Sequence, residues 1–232
     1  FLNKHAEIVH SLAKWKRMAL HSYDFYVGNG LYTDMNAVRK EETLDNLHSI
    51  YVDQWDWEKV ITDEDRTLKY LKEVVRNIVT SIHKTSVMVS HKYPSITYVA
   101  PKKVFFIDSQ KLEDLYPNLS DKAREYEITK QHQVVFIMKI GYPLKSGKPH
   151  DFRAPDYDDW TLNGDLLYYH KTLDMAVEIS SMGIRVNKES LVKQLTYKHK
   201  LDDLKYLYHQ MIYNNQLPLT IGGGITGKST YR

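Results

Sequence analysis

Strand-like segments in this chain occur in groups, and helical segments fall between them at irregular intervals. The strand-like segments are rich in β-branched and aromatic residues and lie at 47–57, 104–107, 134–140, 165–170 and 175–186. Shorter helical patterns lie near 110–116, 121–132, 188–199 and 201–213. A parallel α/β sheet requires regular alternation of strand and helix. We therefore predict an α+β fold with a largely antiparallel sheet flanked by helices.

The clearest helix is predicted between residues 61 and 94. Its apolar residues recur at steps of three and four, at Leu68, Leu71, Val74, Val75, Ile78, Val79 and Ile82. Thr62 or Asp63 is expected to cap the first turn, and Pro94 follows the last. Periodicity and both end signals therefore predict the same single helix.

Chain length and composition limit the organisation. With 232 residues, of which 42% are hydrophobic and 26% charged, the chain can bury one large core or two small ones. We predict a single domain over residues 1–232. No apolar run is long enough to cross a bilayer, and the first residues lack a signal-peptide layout, so a cytoplasmic protein without a membrane partner is expected.

Several chemistries are excluded or disfavoured by composition. The sequence contains no cysteine, which excludes a disulfide scaffold, thiolate metal sites and a cysteine nucleophile. A net charge of +3 gives no indication of nucleic acid as a partner. Eleven histidines are scattered without the spacing of a zinc helix motif, so zinc is not expected.

The segment "IYVDQWDWE" has an unusual strand pattern. The period of two places Gln54, Asp56 and Glu58 on one face and the indoles of Trp55 and Trp57 on the other. The tryptophans indicate that their side is largely covered. The polar face is either an ordinary solvated face or, if it is enclosed, the lining of a polar site, because unpaired buried carboxylates are costly.

The segment "HDFRAPDYDDW" combines one arginine with several acidic residues. Arg153 lies within seven residues of Asp156, Asp158 and Asp159, and Pro155 favours an extended or turned backbone. Two interpretations remain open. The segment is an acidic surface loop with a local ion pair, or it is a site for a cation or an amino group.

The segment "EISSMGIR" has polar residues on both faces of a strand. Regular strand geometry places Glu178 and Ser180 on one face and Ser181, Gly183 and Arg185 on the other. A carboxylate and an arginine on neighbouring strands suit a metal-bound polyphosphate, since Mg²⁺ takes oxygen ligands and guanidinium binds phosphate. The alternative is a surface strand with paired charges.

The basic segment "HSLAKWKR" is expected to form a strand edge. In that geometry Lys14 and Lys16 share one face, beside Trp15. Such an edge suits a partner surface, nucleic acid or an anionic substrate, and the spacing does not choose among them.

The segment "GGGITGKS" satisfies the phosphate-loop pattern through Gly222, Gly227, Lys228 and Ser229. A working phosphate loop needs a strand before the glycines and a helix after the lysine. Only "PLTI" precedes the glycines and three residues follow Ser229, so the context is unfavourable. The alternative is a glycine-rich turn, although three consecutive glycines are most useful where backbone passes close to a ligand.

Seven ordered blocks give the chain a family resemblance. They are "HSLAKWKR", "GLYTDMNAVR", "HSIYVDQWDWE", "RAPDYDDW", "LNGD", "EISSMGIRV" and "TIGGGI". From about residue 8 to Ile225 the chain resembles the ammonia-dependent asparagine synthetases, the type A aspartate–ammonia ligases. The resemblance implies a fold like the catalytic domain of class II aminoacyl-tRNA synthetases and a homodimer. It also implies that aspartate, ammonia and ATP give asparagine, AMP and pyrophosphate with Mg²⁺, through a β-aspartyl adenylate.

The resemblance also implies roles for individual residues. The catalytic residues are expected to be Lys16, Arg39 and Gln54, with Arg39 holding the α-phosphate. The further substrate-side positions are Ser11, Asp56, Arg153 and Asp158. The nucleotide side is Asp165, Ser180, Ser181 and Arg185, with Gly222, Gly223 and Gly224. The magnesium ligands are Glu178 and Asp165.

The chain departs from the family pattern at three places. An acidic substrate residue expected upstream of "HSLAKWKR" is not in the sequence, the segment between "DYDDW" and "LNGD" is Thr161 alone, and "TIGGGI" continues as "TGKSTYR". We therefore expect the domain to be incomplete at the N-terminus, between 160 and 162, and at the C-terminus. Whether Arg232 replaces the arginine that binds the γ-phosphate is open. Two alternatives to the ligase are a catalytically silent synthetase-like binding protein and a phosphate-loop NTPase that forms ADP.

Overall fold

The computed structural model describes residues 12–38 and 51–227. Its strands are β1 (Gly30–Val38), β2 (Tyr51–Val60), β3 (Phe105–Asp108), β4 (Val134–Met138), β5 (Asp158–His170), β6 (Met175–Arg185) and β7 (Thr220–Gly227). They form one sheet in the order β1-β2-β7-β6-β5-β4-β3. Only β3 and β4 pair in parallel within the described residues; the other neighbours are antiparallel. The predicted α+β class with a largely antiparallel sheet is confirmed.

Six α-helices surround the described sheet. They are α1 (Ala13–Ser22), α2 (Leu68–Lys92), α3 (Ser109–Leu115), α4 (Asp121–His132), α5 (Lys188–Tyr197) and α6 (Leu207–Tyr213). A short 3₁₀ turn, Leu201–Lys205, divides the segment that the sequence predicts as one helix from 201 to 213. The N-terminus of α5 is fixed by a capping box between Asn187 and Ser190.

The two faces of the sheet pack differently. On the back face, α2 packs through Leu71, Val75 and Val79 against the large apolar core of the sheet. On the front face, α3 and α4 cover the end formed by β3, β4 and β5. Helix α1 packs over the other end, against β1, β2 and β7. The middle of the front face, between α1 and α4, carries the polar side chains described below.

The predicted long helix is present, but its start is wrong. Helix α2 begins at Leu68, and the side chain of Thr67 caps it by accepting a hydrogen bond from the Tyr70 backbone N–H at 3.2 Å. Thr62 and Asp65 instead hold a turn, since each side chain accepts from the backbone N–H of the other. Local hydrogen bonding of this kind competes with helix formation.

The expected basic strand edge is also wrong, because residues 13–22 form α1. A strand would place Lys14 and Lys16 on the same face, whereas a helix turns them about 200° apart. Lys16 is buried and Lys14 is exposed, as the helix requires. The two strands that the sequence prediction missed are β1 at the sheet edge and the glycine-rich β7.

Thr161 lies inside β5, and the pairing of β5 with β6 is irregular between Asp158 and Asn163. The single-domain boundary of 1–232 and the predicted missing segment at this point stay predictions. No helix among the described residues is long and apolar enough to span a membrane.

Candidate active site

The glycines of β7 form a bare strip in the middle of the front face. Gly222 is opposite Glu58 on β2 and Gly183 on β6, and Gly224 is opposite Asp56 and Ser181. A Cβ on Gly222 would meet the carboxylate of Glu58 and would lie 2.5 Å from Nη2 of Arg185. A Cβ on Gly224 would likewise overlap the side chains above it. Long side chains from both neighbouring strands can therefore lie across β7 only because Gly222 and Gly224 have no side chain.

The same finding excludes a phosphate loop in the described glycines. Gly222, Gly223 and Gly224 lie inside β7, where both β2 and β6 pair with them. A phosphate loop needs these residues in a turn that leads into a helix. Lys228 and Ser229 lie outside the described residues.

Burial on β2 is the reverse of that on an ordinary half-exposed strand. Asp56 and Glu58 on the front face are only 3% and 1% exposed, whereas Trp55 on the back face is 65% exposed. The prediction that the tryptophan side is covered is thus wrong for Trp55. The enclosed polar face that the sequence left as one of two alternatives is confirmed, and its carboxylates need partners.

Arg185 provides the main partner. Its Nε donates to both oxygens of Glu58, at 3.0 and 3.1 Å, and its Nη2 donates to Glu58 Oε2 at 2.7 Å. Nη1 donates to Oδ1 of Asp158, and the guanidinium stacks on the Tyr157 ring, 3.9 Å from its centroid. Thr220 donates to Glu58 Oε1 at 2.7 Å. These buried charges are thus fixed by several directed contacts, as a stable buried ion pair requires.

Lys16 of α1 approaches the same group from above the sheet. Its Nζ lies 3.3 Å from Oδ2 of Asp56 and donates to the backbone carbonyl of Trp57, also at 3.3 Å. Burial, and next the positive charge of Arg185, lower the pKa of Lys16. The ammonium group of Lys16 is therefore held beside the carboxylate of Asp56 and away from solvent.

We call the group Lys16, Asp56, Glu58, Asp158 and Arg185 the charged cluster. Burial raises the pKa of Asp158, against the opposing effect of Arg185. Burial alone would also raise the pKa of Glu58, but Arg185 outweighs it and the pKa is lowered. When all five groups are ionised, three carboxylates face two cations, which leaves one excess negative charge in a buried site. The carboxylates of the cluster suit an ammonium group on a ligand, and its two cations suit a carboxylate.

Of the two interpretations of "HDFRAPDYDDW", the acidic surface loop is wrong, because Asp156, Asp158 and Asp159 are buried. Arg153 does have a local ion-pair partner, but it is Asp151. Asp156, Asp158 and Asp159 each reach a different part of the fold. Asp156 pairs with Lys14 and His209. Asp158 pairs with Arg185, and Asp159 pairs with Arg66. The segment therefore joins α1, α6, β6 and the turn before α2 around the charged cluster.

A second group lies on the front face of β5 and β6. Arg153 donates through Nη2 to Oδ2 of Asp165 and through Nη1 to Asp151 at 2.9 Å. Oδ1 of Asp165 is buried and has no hydrogen-bond partner within residues 12–38 and 51–227. The negative charge of Asp165, and then burial, raise the pKa of Glu178 to about 7. We call Asp165 and Glu178 the acidic pair.

A β-bulge creates the acidic pair. Ser180 is opposite Leu166, whereas Glu178 is opposite Leu167, so Ile179 is an extra residue in β6. Ile179 packs on the back-face core, and Leu167 belongs to the front-face core. The bulge therefore turns Glu178 to the front face. The expectation that Glu178 and Ser180 share a face is wrong, because the Ser180 hydroxyl is buried on the back face, with no hydrogen-bond partner among the described residues.

Two of the predicted site residues, Ser11 and Arg39, lie outside the described residues. Of the others, the structure brings together on the front face Lys16, Gln54, Asp56, Asp158, Arg185, Gly222 and Gly224, and beside them Arg153, Asp165, Glu178 and Ser181. Gly223 and Ser180 lie on the back face. Arg185, expected on the nucleotide side, lies in the charged cluster.

The residues predicted to have a role in the site did not include three contributors to the charged cluster, which are Glu58, Tyr157 and Thr220. Glu58 carried a signal, since the period of two places it on the face of Gln54 and Asp56. No sequence pattern indicated Tyr157 or Thr220, because their roles depend on contacts between distant segments.

The described residues contain no group of three or more His, Asp or Glu side chains placed to hold a metal ion. On the front face of β5 and β6, the acidic pair brings two carboxylates into proximity. A cation there would need further oxygen ligands from a substrate or from water, which is typical of Mg²⁺ bound with phosphates.

The fold is shared with solved synthetases. The asparaginyl-tRNA synthetase of Entamoeba histolytica in complex with asparaginyl-adenylate matches with a TM-score of 0.69 and 14% identity, over 97% of this chain and 52% of that chain. The asparaginyl-tRNA synthetase of Pyrococcus horikoshii, complexed with the same adenylate, matches with a TM-score of 0.69 and 15% identity, over the same shares. The chain thus has the fold of a class II aminoacyl-tRNA synthetase catalytic domain.

Sequence comparison defines the family. The aspartate-ammonia ligase family model matches residues 1–231. The aspartate–ammonia ligase of Clostridium perfringens (strain SM101 / Type A) is 57% identical over 219 residues, which are 94% of this chain and 65% of that protein. That of Ureaplasma urealyticum serovar 10 is 53% identical over 225 residues, 97% of this chain and 68% of that protein. The chain spans 65% of the length of the first relative, and it belongs to the aspartate–ammonia ligase family.

Proposed function

We propose that this chain carries the active site of an AMP-forming aspartate–ammonia ligase, which makes asparagine from aspartate, ATP and ammonia. Family membership supports the reaction. The observation that carries the proposal is the charged cluster, because it holds buried carboxylates and buried cations in one site and therefore suits a ligand that has both an ammonium group and carboxylates. Aspartate is such a ligand.

Aspartate is proposed to bind across the strip of glycines on β7. Asp56 and Asp158 are buried carboxylates suited to the α-ammonium group. Arg185 and Lys16 provide the positive charge for its carboxylates, and Gln54 provides an amide from the same face of β2. Ser11 is proposed as a further contact. This arrangement would hold the β-carboxylate in one orientation, which supplies much of the rate in a reaction of two bound substrates.

The chemistry follows from the low reactivity of a carboxylate. An oxygen of the β-carboxylate attacks the α-phosphorus of ATP, and the bond from that phosphorus to the pyrophosphate oxygen breaks. The nitrogen of ammonia then attacks the activated acyl carbon, loses a proton, and AMP leaves with the attacking carboxylate oxygen. Lys16 and Arg39 are proposed to stabilise the negative charge that develops at the α-phosphate.

The nucleotide is proposed to lie towards β5 and β6, near Arg153, Ser181 and the acidic pair. The buried, unpartnered oxygen of Asp165 beside the carboxylate of Glu178 suits a hard cation with oxygen ligands. These two residues would hold Mg²⁺, which when bound neutralises charge on the phosphates. The assignments of Ser180 and Gly223 to the nucleotide, and the homodimer, stay proposals that rest on the family alone.

Product analysis tests the proposed function. The protein is incubated with ATP, Mg²⁺, aspartate and ammonium, and nucleotides and amino acids are resolved by chromatography. We expect AMP, pyrophosphate and asparagine in equal amounts, all dependent on aspartate. Aspartate binding without nucleotide turnover would favour the silent binding protein, and ADP without asparagine would contradict the ligase.

A further inference from the structure

Glu58 is a buried carboxylate to which the proposed reaction gives no role. Both its oxygens accept hydrogen bonds from Arg185, and Oε1 also accepts from Thr220. It is 1% exposed and lies directly over the bare strand at Gly222. We infer that Glu58 is the positioning residue that orients the guanidinium of Arg185 towards the carboxylate of bound aspartate, an inference that rests on the proposed function.

The donors of Arg185 support this role. A guanidinium has five N–H groups in a fixed plane. Within the described part of the chain, Glu58 takes the Nε–H and one N–H of Nη2, and Asp158 takes one N–H of Nη1. One N–H then remains on each terminal nitrogen. Two N–H groups are the number that a carboxylate needs for bidentate binding.

The orientation of the guanidinium depends on Glu58 more than on its other contacts. Asp158 makes a single hydrogen bond through Oδ1, about which the group can rotate. Tyr157 fixes the plane by stacking but not the rotation within the plane. Among residues 12–38 and 51–227, only Glu58 binds two nitrogens of Arg185 at once. Without it, the two remaining N–H groups are not held in place for a ligand carboxylate.

Two substitutions of Glu58 test the shape and the charge of its side chain separately. Glu58→Gln keeps the size of the side chain but replaces one acceptor oxygen with an NH₂ group, which opposes the donors of Arg185. It also removes the excess negative charge of the cluster. Glu58→Asp keeps the charge and both oxygens on a shorter stem. Thr220→Val removes one hydrogen bond from Glu58 without touching Arg185.

Steady-state kinetics test the inference, with Glu113→Gln as the matched control. Glu113 is also a buried carboxylate paired with an arginine, Arg124, at 3.4 Å, but it belongs to α3 and lies outside the charged cluster. We expect Glu58→Gln to raise the KM for aspartate about tenfold or more and to leave the KM for ATP within about twofold. Glu58→Asp recovers part of that loss, Thr220→Val raises the KM for aspartate about threefold, and Glu113→Gln leaves both constants unchanged.

The outcomes separate positioning from stability. Unchanged KM for aspartate in folded Glu58→Gln, or an equal rise of both KM values, overturns the inference. If Glu58→Gln does not fold, Thr220→Val decides, and an unchanged KM for aspartate in that variant also overturns it. A wild-type protein that forms no AMP with aspartate contradicts the proposed function itself, and that result is visible before any variant is made.

Discussion

Gly222→Ala is the change that most directly probes the bare strand under the charged cluster. The backbone of Gly222 is extended, so alanine can adopt the same conformation. The cost of the substitution therefore depends only on the space available for the methyl group. The new methyl group would contact the carboxylate of Glu58 and lie 2.5 Å from Nη2 of Arg185 and 2.6 Å from the carbonyl oxygen of Trp57. The last contact is backbone, so the strain cannot be relieved by a side-chain rotation. Overpacking of this kind costs about 1–3 kcal/mol, and the disturbed ion pair adds to it, so we expect about 3 kcal/mol.

Gly223→Ala is the matched control. Its methyl group points to the back face, 2.6 Å from Cβ of Met182 and 2.8 Å from the carbonyl oxygen of Ser181. We expect a loss of about 2 kcal/mol in the free energy of unfolding, measured by urea denaturation, with aspartate affinity unchanged. Gly222→Ala is expected to weaken aspartate binding, measured by calorimetry, at least about tenfold. Equal aspartate affinity in the two variants would refute the placement of the ligand over Gly222.

Three further changes test other parts of the site. Burial raises the pKa of Asp156, but hydrogen bonds from His209 and Lys14 outweigh it and lower the pKa to about 2. The ionised carboxylate therefore stabilises the folded protein by about 2 kcal/mol. This contribution is complete above about pH 4 and is lost as the pH falls to about 2. Urea denaturation should therefore show Asp156→Asn less stable than wild type at pH 6 and equal to it near pH 2, and a constant difference would contradict this. Lys16→Met is expected to lower kcat about 100-fold and also to lower the free energy of unfolding, because it leaves the buried Asp56 without its cation; full activity would remove Lys16 from the mechanism. Asp165→Asn is expected to raise the Mg²⁺ concentration for half-maximal rate about tenfold, whereas an unchanged Mg²⁺ dependence would place the cation elsewhere.

Several features of the site were readable from sequence because their signals are local. The period of two along β2 placed Gln54, Asp56 and Glu58 on one face, and that face is the enclosed one. The helical period of α2 identified its core residues, although the turn between Thr62 and Asp65 shifted its start. Where a strand or helix is regular, the pattern within it therefore predicts which side chains share a face.

Features that depend on a second strand or helix could not be predicted from the sequence. Glycines lack strand propensity, so β7 becomes a strand only through pairing with β2 and β6. The bulge at Ile179 inverts the face of Glu178 and has no sequence signal of its own. The contact of Arg185 with Glu58 joins residues that are 127 positions apart. Each of these requires knowledge of which strands are neighbours.

Labelling of the oxygen atoms of aspartate tests most directly whether the reaction passes through a β-aspartyl adenylate. The protein is supplied with ATP, Mg²⁺, ammonium and aspartate labelled with ¹⁸O in the β-carboxylate, and AMP, pyrophosphate and asparagine are examined by mass spectrometry. An adenylate at the charged cluster predicts one ¹⁸O atom in each AMP, one retained in each asparagine, and none in pyrophosphate. Unlabelled AMP, or label in inorganic phosphate with ADP as product, would contradict the account.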